Sequence, residues 1–308
     1  MSKTAILFAG QGAQSVGMGK DLYEYSANAK RLYDMGESLR EGTLNACFYG
    51  EASQLTLTRN AQPCLFLTGL AFAEELRLRG VSADAAAGFS LGEIPALAFT
   101  GALSEEDAFR LVTLRGEKMG ELSEKYKGGM VAALKLENAK VEEICSHYSE
   151  VWPVNYNCPG QLSCAGNEVQ LDKFCEEIKA AGGRAVKLAV SGAFHTPYMR
   201  EATDTLARFL GALAVNPAEI PLYSNLTGNV YPSDKQEMIK TVSSQASSSV
   251  RWETIIRNMS ESGIDTFIEV GAGKTLTGFV KRILPEAATY TVTDISSLEQ
   301  TVEAIVKG

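Results

Sequence analysis

The segment between Gly129 and Val190 constrains the fold most, because short elements follow one another there with almost no connecting chain. MVAALKL, VWPVNY, QLSCAG and RAVKLAV read as strands. NAKVEEICSHY and EVQLDKFCEEIKAAGG instead repeat apolar residues at helical spacing. The resulting order is βαββαβ, a split βαβ arrangement that closes on itself within roughly 60 residues. A unit of that size in the middle of a longer chain is an insertion, so the segments on either side of it belong to a common second body.

Those flanking segments read as α/β. TAILFA at Thr4 to Ala9 is a short buried strand, the Gly-rich GQGAQSVGMG follows it, and one helix-like stretch runs over Lys20 to Leu39. From Asp84 to Ser90 a run of small residues enters GFSLGE and then IPALAFTGAL, where Pro95 is tolerable only near a first helical turn. Ser90 is therefore expected at a strand-to-helix turn. After the insertion come PLYSNLTG, a helix-like VRWETIIRNMSESG, the strand DTFIEV, GAGKTLTGFVKRIL and a late strand ATYTVTD. The expectation is an α/β protein with a hydrolase-like parallel-sheet core and an inserted ferredoxin-like (βαββαβ) subdomain. The large domain takes residues 1–127 and 197–308, and the insert takes 128–196.

Composition removes several function classes. A net charge of −8 argues against a nucleic-acid surface, which needs clustered Lys and Arg. No stretch reaches the roughly 18 apolar residues of a membrane span, and the start is too short for a signal segment, so a cytoplasmic address is expected. Cys47, Cys64, Cys145, Cys158, Cys164 and Cys175 form no CxxC pair, and His147 and His195 are the only histidines. Neither a metal cage nor a disulfide framework is signalled, and no cofactor is called for.

GFSLG matches G-x-S-x-G, in which the flanking glycines permit a strained turn that lifts the serine hydroxyl at a helix N-terminus. A hydroxyl at neutral pH needs a base, most often histidine. His147 sits at the polar helix end EEICSHYSE and reads as solvated. His195 lies in VSGAFHTP, a loop of the kind that presents a side chain into a cleft, and is the preferred base. Leu91, directly after the serine, is placed to supply one oxyanion-binding amide. GQGAQ either offers a second amide or is a plain glycine turn. Arg115 interrupts an apolar stripe formed by Ala108, Leu111, Val112, Met119 and Leu122, whereas Arg110 shares a face with Glu106 and Glu117. A buried arginine needs an anion, either a protein carboxylate or one carried by a substrate. Two nucleotide motifs fail on inspection. Ile268 occupies the position of the first P-loop glycine ahead of GKT, and Ser15 that of the third small residue in a dinucleotide fingerprint.

Taken in order, GQGAQ, GFSLGE, LRGEKM, NYNCPGQ, VSGAFHTP, QASSSVRW and EVGAGKTLTG resemble the malonyl-CoA:acyl carrier protein transacylase family from Phe8 to about Leu284. The resemblance implies ping-pong transfer of malonyl from malonyl-CoA through Ser90 to the pantetheine thiol of acyl carrier protein, as in fatty acid synthesis, by a monomer. It further implies that His195 is steered by the backbone carbonyl of Gln245, that Gln11 and Leu91 form the oxyanion hole, and that Arg115 clamps the malonyl carboxylate. By the same resemblance Phe194 limits the acyl pocket, while Met119, Asn157, Gln161 and Gln62 line or support it. Phe89 and Ala272 depart from the family's usual His and Pro. The serine and base alone would serve a thioesterase equally well, and every motif also suits a stand-alone polyketide acyltransferase. Lys187, Arg184, Arg200, Lys274, Lys281 and Arg282 are the candidates for a basic patch that meets an acidic carrier.

Overall fold

The computed structural model describes residues 2–190 and 192–307. Its strands, in chain order, are β1 (Thr4–Phe8), β2 (Ala85–Gly88), β3 (Gly128–Leu134), β4 (Val151–Cys158), β5 (Gln161–Asn167), β6 (Arg184–Lys187), β7 (Leu222–Tyr223), β8 (Thr266–Val270) and β9 (Ala288–Val292). Two sheets result. The parallel one has the order β7-β2-β1-β8-β9, and the antiparallel one has the order β4-β5-β3-β6. The chain thus has the mixed α/β architecture expected, and the second sheet has the strand order of a ferredoxin-like unit.

The strand β1 lies at the centre of the parallel sheet, and its sequence TAILF shows why. Ile6 and Phe8 enter one apolar core while Ala5 and Leu7 enter the other, so both faces are covered and the strand is buried throughout. The first core packs under the helices Thr58–Leu78 and Glu105–Lys125, and the second under Trp252–Glu261 and Thr275–Ile283. A third core, around Val131, Leu162, Phe174 and Ile178, belongs to the antiparallel sheet and its two helices.

One sequence expectation is corrected. The stretch from Lys20 to Leu39 is two helices, Lys20–Tyr25 and Ala27–Leu39, because the Ser26 hydroxyl accepts a hydrogen bond from the Ala29 amide and so caps a new helix. The apolar spacing continues across the break and hides it, since a cap is a single-residue signal.

In the parallel sheet the chain after β1 leaves between β2 and β8, the kind of switch point where α/β sheets open a crevice at the carboxyl ends of their strands. Gly10–Gln14 follow β1, Phe89 and Ser90 follow β2, and Thr275, Leu276 and Phe279 lie beyond β8. Together with Met130, Ala132 and Asn155 of the antiparallel sheet they line one cavity of about 490 Å³.

Candidate active site

Ser90 is held at φ 53°, a left-handed backbone conformation that costs a non-glycine residue roughly 1–3 kcal/mol. The neighbouring glycines make it possible. A Cβ on Gly88 would lie 1.9 Å from the Gly92 carbonyl carbon, and one on Gly92 would lie 2.3 Å from the Phe8 carbonyl oxygen. Asn225 fixes the turn from outside. Its Oδ1 accepts from the Ser90 amide at 2.7 Å and its Nδ2 donates to the Gly88 carbonyl at 2.6 Å. The helix Glu93–Phe99 then begins, with Pro95 in its first turn.

The Ser90 hydroxyl lies 2.7 Å from Nε2 of His195. Nδ1 of His195 faces two carbonyls, Gln245 at 3.0 Å and Ser248 at 3.1 Å. Carbonyls only accept, so Nδ1 carries the proton and Nε2 is the lone-pair nitrogen that receives the serine hydrogen. Burial, and secondarily the Arg115 cation, lower the imidazole to about 4 against the pull of those two carbonyls, so the ring is neutral at pH 7. His195 itself sits at φ 63°, and Thr196 anchors the bend by donating to the Ala193 carbonyl at 2.7 Å. The other histidine is on the surface, where His147 Nδ1 meets Glu177 at 2.6 Å.

Arg115 is 1% exposed. Its guanidinium donates to Gln62 Oε1 at 2.8 Å, to Gln245 Oε1 at 2.9 Å and to the Ser90 hydroxyl oxygen at 3.2 Å. Of the two anions left open by the sequence, a directly paired protein carboxylate is absent among the described residues. Burial lowers the guanidinium to about 10, and the nearby Glu93 carboxylate opposes that shift. Arg110 points to solvent as expected and pairs with Glu106, which shares its face, and with Asp107.

The remaining expected residues converge on the same cavity. Gln11, Gln62, Met119, Asn157, Gln161 and Phe194 all line it. Among the described residues the Gln11 and Leu91 amides have no hydrogen-bond partner, whereas the Gln11 side chain is tied to Thr58 at 3.2 Å. Asn157 Nδ2 donates to Ser163 at 3.2 Å, and the side-chain oxygens of Asn155 and Asn157 are buried without partners among the described residues. Phe89 turns its ring edge-on to Trp252 at 5.4 Å, and the Trp252 indole N–H is buried without an acceptor among the described residues. Among these residues no cluster of His, Cys, Asp or Glu could hold a metal ion, and no helix is long and apolar enough to cross a membrane.

Sequence reasoning missed three groups. Asn225 lies in PLYSNLTG without any local signal. The carbonyl of Ser248 shares the histidine with that of Gln245. Glu93 is the third, fully buried, with Oε2 accepting from Gln245 Nε2 at 2.7 Å and Oε1 accepting from the Asn225 amide at 3.2 Å and from the Tyr231 hydroxyl. Burial pushes its carboxyl up to about 7, against the hydrogen bonds it receives and the charge of Arg115. A carboxylate opening the otherwise apolar helix EIPALAF was the one signal available.

Comparison with known proteins agrees with this architecture. The family model described as the acyl transferase domain matches residues 6–303. The malonyl CoA-acyl carrier protein transacylase of Bacillus subtilis is 38% identical over 99% of this chain and 98% of its own length. The crystal structure of the enzyme of that name from Clostridium perfringens superposes with a TM-score of 0.94 at 37% identity, covering 99% of this chain and 98% of that one. A type II polyketide acyl carrier protein in complex with its malonyl-transacylase gives a TM-score of 0.94 at 29% identity over the full length of both chains. With this domain match and these full-length similarities, the chain is an acyltransferase that belongs to the malonyl CoA-acyl carrier protein transacylase family.

Proposed function

We propose that the protein moves malonyl from malonyl-CoA to the pantetheine thiol of acyl carrier protein by way of a Ser90 ester, supplying extender units for fatty acid synthesis. The observation that carries this reading is the position of Arg115, which contacts the Ser90 hydroxyl yet pairs with no carboxylate among the described residues. Among the described residues three of the guanidinium's five N–H donors are engaged, and one of them, from Nη2 to the Ser90 hydroxyl, is the contact that an anionic acyl group attached to Ser90 would take over.

In the first half-reaction Ser90 Oγ attacks the thioester carbonyl while its proton passes to His195 Nε2. The Leu91 and Gln11 amides receive the developing oxyanion. The C–S bond then breaks, and the coenzyme A sulfur takes the proton from Nε2. In the second half-reaction the pantetheine thiol gives its proton to His195 and attacks the ester carbonyl. The C–O bond breaks, and Ser90 Oγ recovers the proton. His195 needs no carboxylate partner in this scheme, because the Gln245 and Ser248 carbonyls hold the required tautomer.

The cavity of about 490 Å³ has room for a long amide-bearing arm, and Asn155, Asn157 and Gln161 are polar residues along its wall. For carrier docking we favour Lys274, Lys281 and Arg282. They lie on or beside the helix Thr275–Ile283 that borders the cavity, and Arg282 reaches Gln161 at 2.8 Å. Lys187 is a weaker choice because Asp172 neutralises it at 2.6 Å. The deciding assay follows the fate of bound malonate. A holo carrier should accept it far faster than water does, and dominant hydrolysis would replace transfer with a thioesterase reading. Replacing Arg115 by Ala should lower the ratio of malonyl to acetyl transfer by about 100-fold, the scale of a bidentate carboxylate contact.

A further inference from the structure

A buried guanidinium ordinarily carries a carboxylate partner, because the cost of desolvating a lone cation is several kcal/mol. Among the described residues the hydrogen bonds of Arg115 all end on uncharged oxygens, and the anion its network reaches, Glu93, lies on the far side of Gln245. The orientation of the Gln245 amide is fixed by what surrounds it. Its Nε2 faces two acceptors, the Glu93 carboxylate at 2.7 Å and the Ser90 carbonyl at 2.5 Å, while its Oε1 faces the guanidinium at 2.9 Å. A flipped amide would oppose oxygen to both acceptors and NH₂ to the cation. Donors from Asn225, Tyr231 and Gln245 converge on Glu93, a set that fits the ionised form.

We infer that Glu93 is the remote counter-charge of Arg115, held one glutamine side chain away so that the arginine stays ionised and aimed while its free N–H donors remain open to the carboxylate of the acyl group. A carboxylate in direct contact would balance the same charge but would occupy the guanidinium and compete with the substrate. Glu93 acts through Gln245 and is a positioning residue. The inference rests on the reading of Arg115 as the carboxylate clamp.

The experiment compares kcat/KM for malonyl-CoA and acetyl-CoA, with a holo acyl carrier protein as acceptor, in wild-type protein and in the E93Q, Y231F, Q62E and R115A variants. In E93Q the malonyl-to-acetyl ratio should fall roughly 10-fold, mainly through KM for malonyl-CoA, as expected from losing one charge coupling at short range in a low-dielectric site. Y231F, which removes one donor from the carboxylate, should move the ratio the same way by a smaller factor, and it decides the question if E93Q does not fold. Q62E places a carboxylate directly on Arg115 and should lower the ratio further than E93Q does. Equal losses with both donors in E93Q, an unmoved ratio in a folded Y231F protein, or an unmoved ratio in Q62E would each overturn the inference. R115A separates the two levels. If its ratio does not move, the clamp itself is wrong, whereas a ratio that moves in R115A but not in E93Q removes the remote counter-charge alone.

Discussion

Two glycine-rich turns leave the same edge of the parallel sheet, and they differ in what occupies the start of the helix that follows. After β2, GFSLG lifts Ser90 into the cavity and leaves the Leu91 amide without a partner among the described residues. After β8, GAGKT runs into the helix Thr275–Ile283, and the Glu269 carboxylate accepts from the Leu276 amide at 3.1 Å and the Thr277 amide at 2.7 Å. Both turns have the strand–loop–helix geometry suited to receiving an anion. Only the first is open, because the second already holds an internal carboxylate. Glycine content therefore does not distinguish a reactive turn from a structural one, whereas the presence of an internal acceptor does.

The largest expected effect separates these turns by chemistry. His195→Ala should lower transfer by about 10⁴-fold while leaving the fold intact, since it removes the proposed base and nothing that caps the elbow. A much smaller loss in a folded variant would mean that Ser90 is activated by another group. Gly92→Ala comes next, because the added Cβ would press on the Phe8 and Ala9 carbonyls at 2.3 and 2.8 Å. A loss of about 3 kcal/mol in denaturant unfolding is expected from such overpacking. Unchanged stability would show that the elbow relaxes without its second glycine.

Glu269→Ala tests the closed turn. Stripping the carboxylate from two helix amides should cost about 1–2 kcal/mol of stability and reduce transfer by less than roughly 10-fold. If transfer collapses as in His195→Ala, the distinction between an open and a closed turn fails. The smallest effect is a pH profile. Burial and Arg115 lower His195 to about 4 from its ordinary 6.5, so the acylation rate should fall off only near pH 4. The same shift means that the folded protein binds fewer protons than the unfolded chain between those values. The stability this histidine supplies is therefore complete above pH 6.5 and is lost as pH falls toward 4. A rate inflection near 6.5 would indicate an imidazole exposed to water.

How much of this was legible in the sequence follows from the range of each interaction. The position of Ser90 was readable because Gly88 and Gly92 encode the bend locally. His195 was readable because only one other histidine competed with it. The periodicity around Arg115 reported its burial, and the strand pattern reported the inserted sheet. Asn225, by contrast, meets Ser90 from 135 positions away, and Gln245 meets Glu93 from 152. Neither contact leaves a periodic trace, because each depends on where the chain returns after the insertion. The indole of Trp252 is similar, since only the folded neighbourhood shows that Phe89 gives it no acceptor.

The central claim is a covalent intermediate on one hydroxyl, and mass spectrometry of peptides from protein quenched after exposure to malonyl-CoA tests it most directly. The expected result is one malonyl group on the peptide that contains Ser90, discharged when holo acyl carrier protein is added and missing from Ser90→Ala. Full transfer to the carrier with no added mass on that peptide at any time would contradict it.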